Sequence, residues 1–209
     1  DTHTREALFA NQQFDAVFHC AAILAHAVKD PNFLWTSNVD GTRVIRDMAI
    51  KYKVPKIVFT SSNCLWGQDM GKPVTEDEPP RPVEIYGRSK LEGEKILLER
   101  TDALSVVIFR CPTIIDSGRL GLLAILFEFI DEGRKVWVVG GGDNRYQFIF
   151  APDLANAFLK AATYPGSDIF NIGSDNVSSF RDMYNSVIAR AKTGARVANF
   201  PRSLAIPAM

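Results

Sequence analysis

The chain has no net charge: twenty-four Lys and Arg residues stand against twenty-four Asp and Glu residues. That balance supplies no electrostatic footprint for a nucleic acid or an anionic membrane surface. Cysteine is scarce. Cys20, Cys64 and Cys111 sit in or beside apolar runs with no C-x-x-C spacing, which argues against a disulfide framework and fits a reducing, cytoplasmic setting. The three histidines, His3, His19 and His26, form no set with metal-ligand spacing, so no metal is expected. No apolar run approaches the roughly 20 residues that span a bilayer. Asp1 to Glu6 has neither the charge layout nor the apolar core of a signal peptide.

What is present is an ordinary globular composition, 46% hydrophobic and 23% charged, with periodicities that alternate between strand and helix. Strands are expected at Ala16 to Cys20, Ile57 to Ser61, Val106 to Arg110, Val136 to Val139 and Ile169 to Ile172. Helices are expected at Arg5 to Gln12, Phe33 to Tyr52, Glu84 to Arg100, Leu120 to Glu132, Pro152 to Ala162 and Phe180 to Ala191. Short β-branched strands flanked by helices predict an α/β fold with a doubly wound, mostly parallel, Rossmann-like sheet that binds ligands at the carboxyl ends of its strands. Ser61-Ser62 stands at such an end. The pattern loosens after about Thr113, which divides the chain into a dinucleotide-binding part, 1–112, and a smaller mixed α/β substrate lobe, 113–209, interleaved with the last core strands. The segment Gly67 to Arg81, stiffened by Pro73, Pro79 and Pro80, is the longest irregular stretch and is expected to overhang the site.

Tyr86-Gly-Arg-Ser-Lys90 carries the chemistry. An isolated tyrosine titrates near pKa ~10 and is a poor base at neutral pH, but a fixed cation nearby favours its phenolate. Residues four apart on a helix share a face, so Lys90 can be that cation, and a serine hydroxyl at a strand end can hold the substrate oxygen. Tyr52 and Lys56 have the same spacing and fail locally: Pro55 disfavours helix at Val54, and Lys56 opens a strand-like run. Ser89 to Arg100, by contrast, is rich in helix formers, with Leu91, Ile96, Leu97 and Leu98 as an apolar stripe.

Taken together, these residues resemble the extended short-chain dehydrogenase/reductases, in the branch of NAD-dependent epimerases and dehydratases acting on nucleotide sugars. His19-Cys20-Ala21-Ala22 is similar to the strand-end segment lying along the cofactor, Asn38-Val39-Asp40-Gly41-Thr42 to the N-x-x-G-T motif, and Ser61-Ser62-Asn63-Cys64-Leu65-Trp66-Gly67 to S-S-x-x-V-Y-G. Arg110-Cys111-Pro112-Thr113 resembles the strand end near the nicotinamide, Asp153-Leu154-Ala155 the D-L-A helix start and Asn171-Ile172-Gly173 the late N-I-G strand. The resemblance implies Ser62, Tyr86 and Lys90 as the catalytic trio. Ala21, Ala22, Asn38, Ser61, Pro112 and Thr113, with Tyr86 and Lys90, then lie along NAD, and Asn63 and Arg145 at the substrate. Read without the family, His19 and His26 are satisfied polar anchors, and Asp153 favours its helix dipole.

Two departures shape the expectation. No G-x-x-G-x-x-G turn precedes a helix, and Gly140-Gly141-Gly142 reads as a turn. With no initial Met, the sequence reads as part of a longer polypeptide, and both NAD and NADP stay open. Where such epimerases carry Arg-Asp-aromatic, this chain has Arg145-Tyr146-Gln147-Phe148. The family's dehydratases carry Asp-Glu after the catalytic hydroxyl; Asn63-Cys64 cannot supply a carboxylic acid, which argues against dehydration. The resemblance therefore implies hydride transfer on a nucleotide sugar, 4-epimerase-like. A 3β-hydroxysteroid-dehydrogenase-like oxidoreductase, with Leu120 to Ile130 lining its pocket, and a non-catalytic cofactor sensor are the alternatives. A homodimer paired through Phe33 to Tyr52 and Glu84 to Arg100 is expected, with Trp35, Val39, Val44 and Met48 as apolar groups.

Overall fold

The computed structural model describes residues 2–10, 12–68, 70–117 and 123–205. In chain order the elements are α1 (Thr2–Ala10), β1 (Val17–His19), α2 (Pro31–Trp35), α3 (Gly41–Lys51), β2 (Lys56–Ser62), α4 (Ile85–Leu98), β3 (Ser105–Cys111) and β4 (Thr113–Ile115). There follow α5 (Leu123–Asp131), β5 (Lys135–Val139), β6 (Phe148–Phe150), α6 (Ala151–Thr163), β7 (Asp168–Asn171), α7 (Phe180–Ala191), β8 (Arg196–Phe200) and α8 (Arg202–Ala205). They form two compact units, Asp1–Pro112 with Pro152–Ile172, and Thr113–Ala151 with Gly173–Met209.

The first unit is built on a four-stranded sheet in the order β1-β2-β3-β7, parallel throughout. Strands covered on both faces should read as continuous apolar runs, and Ile57, Val58, Val106, Val107 and Ile108 are fully buried. On one face Phe9, Ala49, Phe59, Leu97 and Ile108 form a core beneath α1, α3 and α4. On the other, Phe158 of α6 stacks on Phe18 and lies 5.6 Å from Phe109. Helices on both faces make this a doubly wound α/β sheet.

Differences from the sequence reading are local. The expected helix Phe33 to Tyr52 begins earlier, at Pro31, behind an Asp30 cap whose carboxylate accepts the Asn32 amide at 2.9 Å. It is interrupted by a π turn at Thr36–Asp40, where Thr36 Oγ1 bonds back to the Asn32 carbonyl. Val39 is buried and half-buried Met48 packs on the core, so these two of the four apolar groups offered for a dimer face turn inward, and Trp35 and Val44 are half-buried. Helix α4 buries Gly87, Ser89, Lys90, Gly93, Glu94, Ile96 and Leu97, a face more polar than the expected leucine stripe. Lys53 takes a left-handed φ of 57° before Pro55, and Tyr52 stacks on Phe9, so Tyr52 and Lys56 share no helical face.

In the second unit, β4 pairs with β6 and β5 with β8, both parallel. The sequence reading missed β4, β6 and β8, and its Val136 to Val139 strand lies here rather than in the main sheet. Ile130, Val136 and Ala195 are the core of this unit, with Phe127, Val187 and Ile188 packed on them. The expected helix start at Leu120 lies outside the described residues; Leu126 and Phe127 of α5 pack on that core, as an ordinary buried helix does. Gly140 to Gly142 form a turn, with the Gly142 amide donating to the Val139 carbonyl.

Candidate functional site

Strand β2 ends at Ser62, whose Oγ accepts the Cys64 amide at 3.2 Å and so caps the 3-10 turn Asn63–Leu65. Against that turn sits the N-terminus of α4. Glu84 caps the helix, its carboxylate accepting the Tyr86 amide at 3.0 Å and the Gly87 amide at 2.7 Å. A Cβ on Gly87 would lie 2.4 Å from the Cys64 carbonyl oxygen, a separation no side chain tolerates. Two turns further along, a Cβ on Gly93 would meet the Phe59 ring at 2.9 Å. These two glycines let α4 lie directly on β2 and its turn, which brings Tyr86 and Lys90 to the strand end that carries Ser61 and Ser62.

Tyr86 is half-buried and Lys90 is only 2% exposed. The Lys90 ammonium lies 4.2 Å from the centre of the Phe59 ring, a favourable cation–π placement. Burial pulls Lys90 down from 10.5 to about 8, opposed by the neighbouring Cys111, Glu94 and Cys20. It thus remains mainly protonated at pH 7. Burial pushes the Cys111 thiol up to about 12, so it is an inert core thiol.

Asn38, inside the π turn, gives its whole side chain to the protein. Its Oδ1 accepts the Ile23 amide at 2.7 Å, and its Nδ2 donates to the Ile23 carbonyl and to Ser89 Oγ, both at 3.0 Å. Ser89 in turn donates to the Tyr86 carbonyl. Asn38 therefore staples the loop after β1, where Ala21 and Ala22 are exposed, to the helix of Tyr86. Below it, Thr42 Oγ1 donates to the Asn38 carbonyl and lies 2.9 Å from His19 Nε2, so Nε2 carries the ring proton. Burial, followed by the charge of Lys90, lowers His19 from 6.5 to about 4 and leaves it neutral.

Ser61, Ser62, Asn63, Tyr86, Lys90, Ala21, Ala22, Asn38 and Pro112 all belong to the first unit. Asn63 is exposed at the turn, and Pro112 is buried just past β3. Thr113 and Arg145 belong to the second unit. There Thr113 Oγ1 lies 2.8 Å from the Tyr146 hydroxyl, and exposed Arg145 bridges to Ser179.

Sequence reasoning missed one cluster. Arg110 of β3, 6% exposed, pairs with Glu94 of α4 through Nη2 at 2.9 Å and Nε at 3.1 Å. Its Nη1 donates to the Glu76 carbonyl at 3.0 Å, and its guanidinium lies over Trp66. The Glu76 carboxylate accepts the Asn171 amide, and Asn171 Nδ2 donates to the Val74 carbonyl. The signal was a charged residue inside an apolar strand and a glutamate one helical turn beyond Lys90. The expected overhanging segment is thus tied down at 74–76 by β3 and β7.

Comparison with known proteins places this arrangement. An uncharacterised protein of Sinorhizobium fredii is 39% identical over 90% of this chain and 48% of its own length. UDP-glucose 4-epimerase of Mycolicibacterium smegmatis is 29% identical over 86% of this chain and 61% of its own. The chain thus spans about half to three-fifths of these relatives. The crystal structure of UDP-glucose 4-epimerase from Thermotoga maritima, solved with UDP-glucose, superposes with a TM-score of 0.82 at 25% identity, covering 96% of this chain and 69% of that one. With residues 1–173 matching the family model, on a parallel sheet whose inner strand β2 ends in the Ser61-Ser62 pair against the helix of Tyr86 and Lys90, the chain belongs to the NAD-dependent epimerase/dehydratase family.

Proposed function

We propose that the full-length protein interconverts the C4 epimers of a nucleotide sugar by reversible oxidation, with Tyr86 as the proton-transferring base. The observation carrying this reading is the buried, protonated Lys90 one turn from Tyr86, on a helix packed against the turn that Ser62 caps. A fixed positive charge favours the tyrosine phenolate, which takes the hydroxyl proton of the sugar and later returns it. Ser62 Oγ already accepts the Cys64 amide, which leaves its own proton to donate to the reacting sugar oxygen. Asn63 stands exposed beside it as a substrate contact.

The strand end suits the reactive portion of NAD. Ser61 Oγ is buried with no hydrogen-bond partner among the described residues. Ser61 follows Phe59 by two residues, so it faces the same side of β2 as the ring under Lys90. Bound NAD supplies the group that accepts and returns a hydride. Lys90 and Ser61, with Ala21, Ala22 and Pro112, are the residues of this unit to hold it, and Asn38 contributes by fixing the 21–24 loop. The relatives named UDP-glucose 4-epimerase support the sugar substrate. Asn63-Cys64 in place of two carboxylates argues against dehydration.

Proton NMR of the full-length protein with NAD and a panel of UDP- and dTDP-hexoses tests the reading. New anomeric signals are expected, and Tyr86→Phe should slow their appearance by about 10²–10⁴-fold. Unchanged sugars would point to oxidation of another alcohol, and full turnover by Tyr86→Phe would remove Tyr86 from the chemistry.

A further inference from the structure

Arg110 and Glu94 form the most buried ion pair among the described residues, with side chains 5% and 2% exposed. Burying two charges is unfavourable unless their geometry is good and their remaining donors are satisfied. Here the guanidinium meets both carboxylate oxygens, the Glu76 carbonyl and the Trp66 ring. Its position is as informative as its pairing. On β3, Arg110 is in register with Ser61, and the next residue, Cys111, with Ser62. On α4, Glu94 lies one turn beyond Lys90 and two beyond Tyr86, on the same buried face. The pair thus joins the end of β3, the Tyr86 helix, the residue after the Ser62 turn and the 74–76 segment.

We propose, building on the reading of Tyr86 as the base, that Arg110 and Glu94 are positioning residues whose mutual neutralisation sets the charge felt by Lys90 and Tyr86. Among the described residues, the other groups around Lys90 carry little uncompensated charge, the Glu76 carboxylate being held by the Asn171 amide. From β1, His19 is neutral and Cys20 is an exposed thiol. From β3, Cys111 keeps its proton. From α3, Arg46 is engaged by the Ile96 carbonyl and Glu99, and Glu84 sits on the exposed helix cap. Strand β2 presents Phe59, Ser61 and Ser62, none of which titrates. Glu94 itself already raises Lys90. Removing Arg110 uncovers a carboxylate beside Lys90, and removing the Glu94 charge uncovers a guanidinium, so the two lesions push a tyrosine phenolate in opposite directions.

The full-length protein is labelled with ¹³Cζ-tyrosine, and the Tyr86 signal is assigned by its loss in Tyr86→Phe. Arg110→Met should move the titration midpoint of that signal, and the acid limb of kcat/KM, upward by roughly one pH unit. Glu94→Gln should move both downward by a similar amount, and the double variant should return them close to wild type. Single variants that shift the midpoint the same way, or not at all, overturn the proposal, as does a double variant that keeps either single shift. If Arg110→Met does not fold, Glu94→Gln and the double variant decide the matter. The ring signal is read without turnover, so failure of the epimerase reading, seen as turnover by Tyr86→Phe, remains separate from failure of this one.

Discussion

Lys90 answers two opposed demands. Its charge supports the proposed phenolate, yet burial lowers it from 10.5 to about 8, a difference on the order of 3 kcal/mol against the folded state at neutral pH. Lys90→Met, with a similar flexible stem over the Phe59 ring, should therefore abolish turnover while raising stability by about 1–3 kcal/mol, read from urea midpoints at pH 7. A loss of stability instead would mean that the ammonium holds the fold through contacts beyond that ring. At this scale Tyr86, Lys90 and Ser62 could be singled out as candidates because Y-x-x-x-K at the start of a strong helix former is chemically pointed. Arg110 and Glu94 were not. Sequence gives no means of knowing that residues sixteen apart face each other across a strand and a helix. Asn38 was singled out from its motif, but its three bonds to Ile23 and Ser89 depend on a π turn that no periodicity announces.

Among the elements, the junction of α4 with β2 decides most. Gly87→Ala would drive a methyl into the Cys64 carbonyl, and only a shift of the helix start relieves it. The expected outcome is a loss of about 1–3 kcal/mol in stability, together with a fall in kcat larger than any change in KM, because Tyr86 moves with the helix. Unchanged kcat would show that the turn yields and the helix stays. The long apolar strands β2 and β3 and helices α4, α6 and α7 were readable from length and composition. The three-residue strands β4 and β6 were too short to carry a period, and in β8, Arg-Val-Ala-Asn-Phe, Val197 and Ala198 are adjacent and half-buried and Phe200 is exposed, so no alternation marks it. Asp30-Pro31 was a readable helix start that the apolar pattern from Phe33 obscured.

At the scale of the whole molecule, the two strongly perturbed basic groups act in the same sense. His19 takes its proton near 4 when folded against 6.5 when unfolded, and Lys90 near 8 against 10.5. For each group the unfolded chain holds more protons, so stability rises with pH from about 4 to 6.5 through His19 and from about 8 through Lys90, until above about 9 the Cys111 thiol, raised from 9.0 to about 12, offsets the second rise. Urea midpoints across pH should show both rises, with His19→Gln flattening the first and Lys90→Met the second. A wild-type curve falling between about pH 8 and 9, below the range of the Cys111 thiol, would contradict the burial of Lys90. The parallel α/β class was evident from the alternation of elements, and the interleaving of the last core strands was expected, whereas the bounds of the returning segment, Pro152–Ile172, followed from no local signal. That return has a consequence for synthesis. A ribosome delivers β1, β2, α4 and β3 in succession, but β7 emerges only after the intervening thirty-nine residues of the other unit, Thr113–Ala151. Val74 and Glu76 must wait for Asn171, ninety-seven and ninety-five residues downstream, before their last bonds can close. A nascent chain stalled before Asn171 would therefore display its serine, tyrosine and lysine with that segment held from β3 by Arg110 alone.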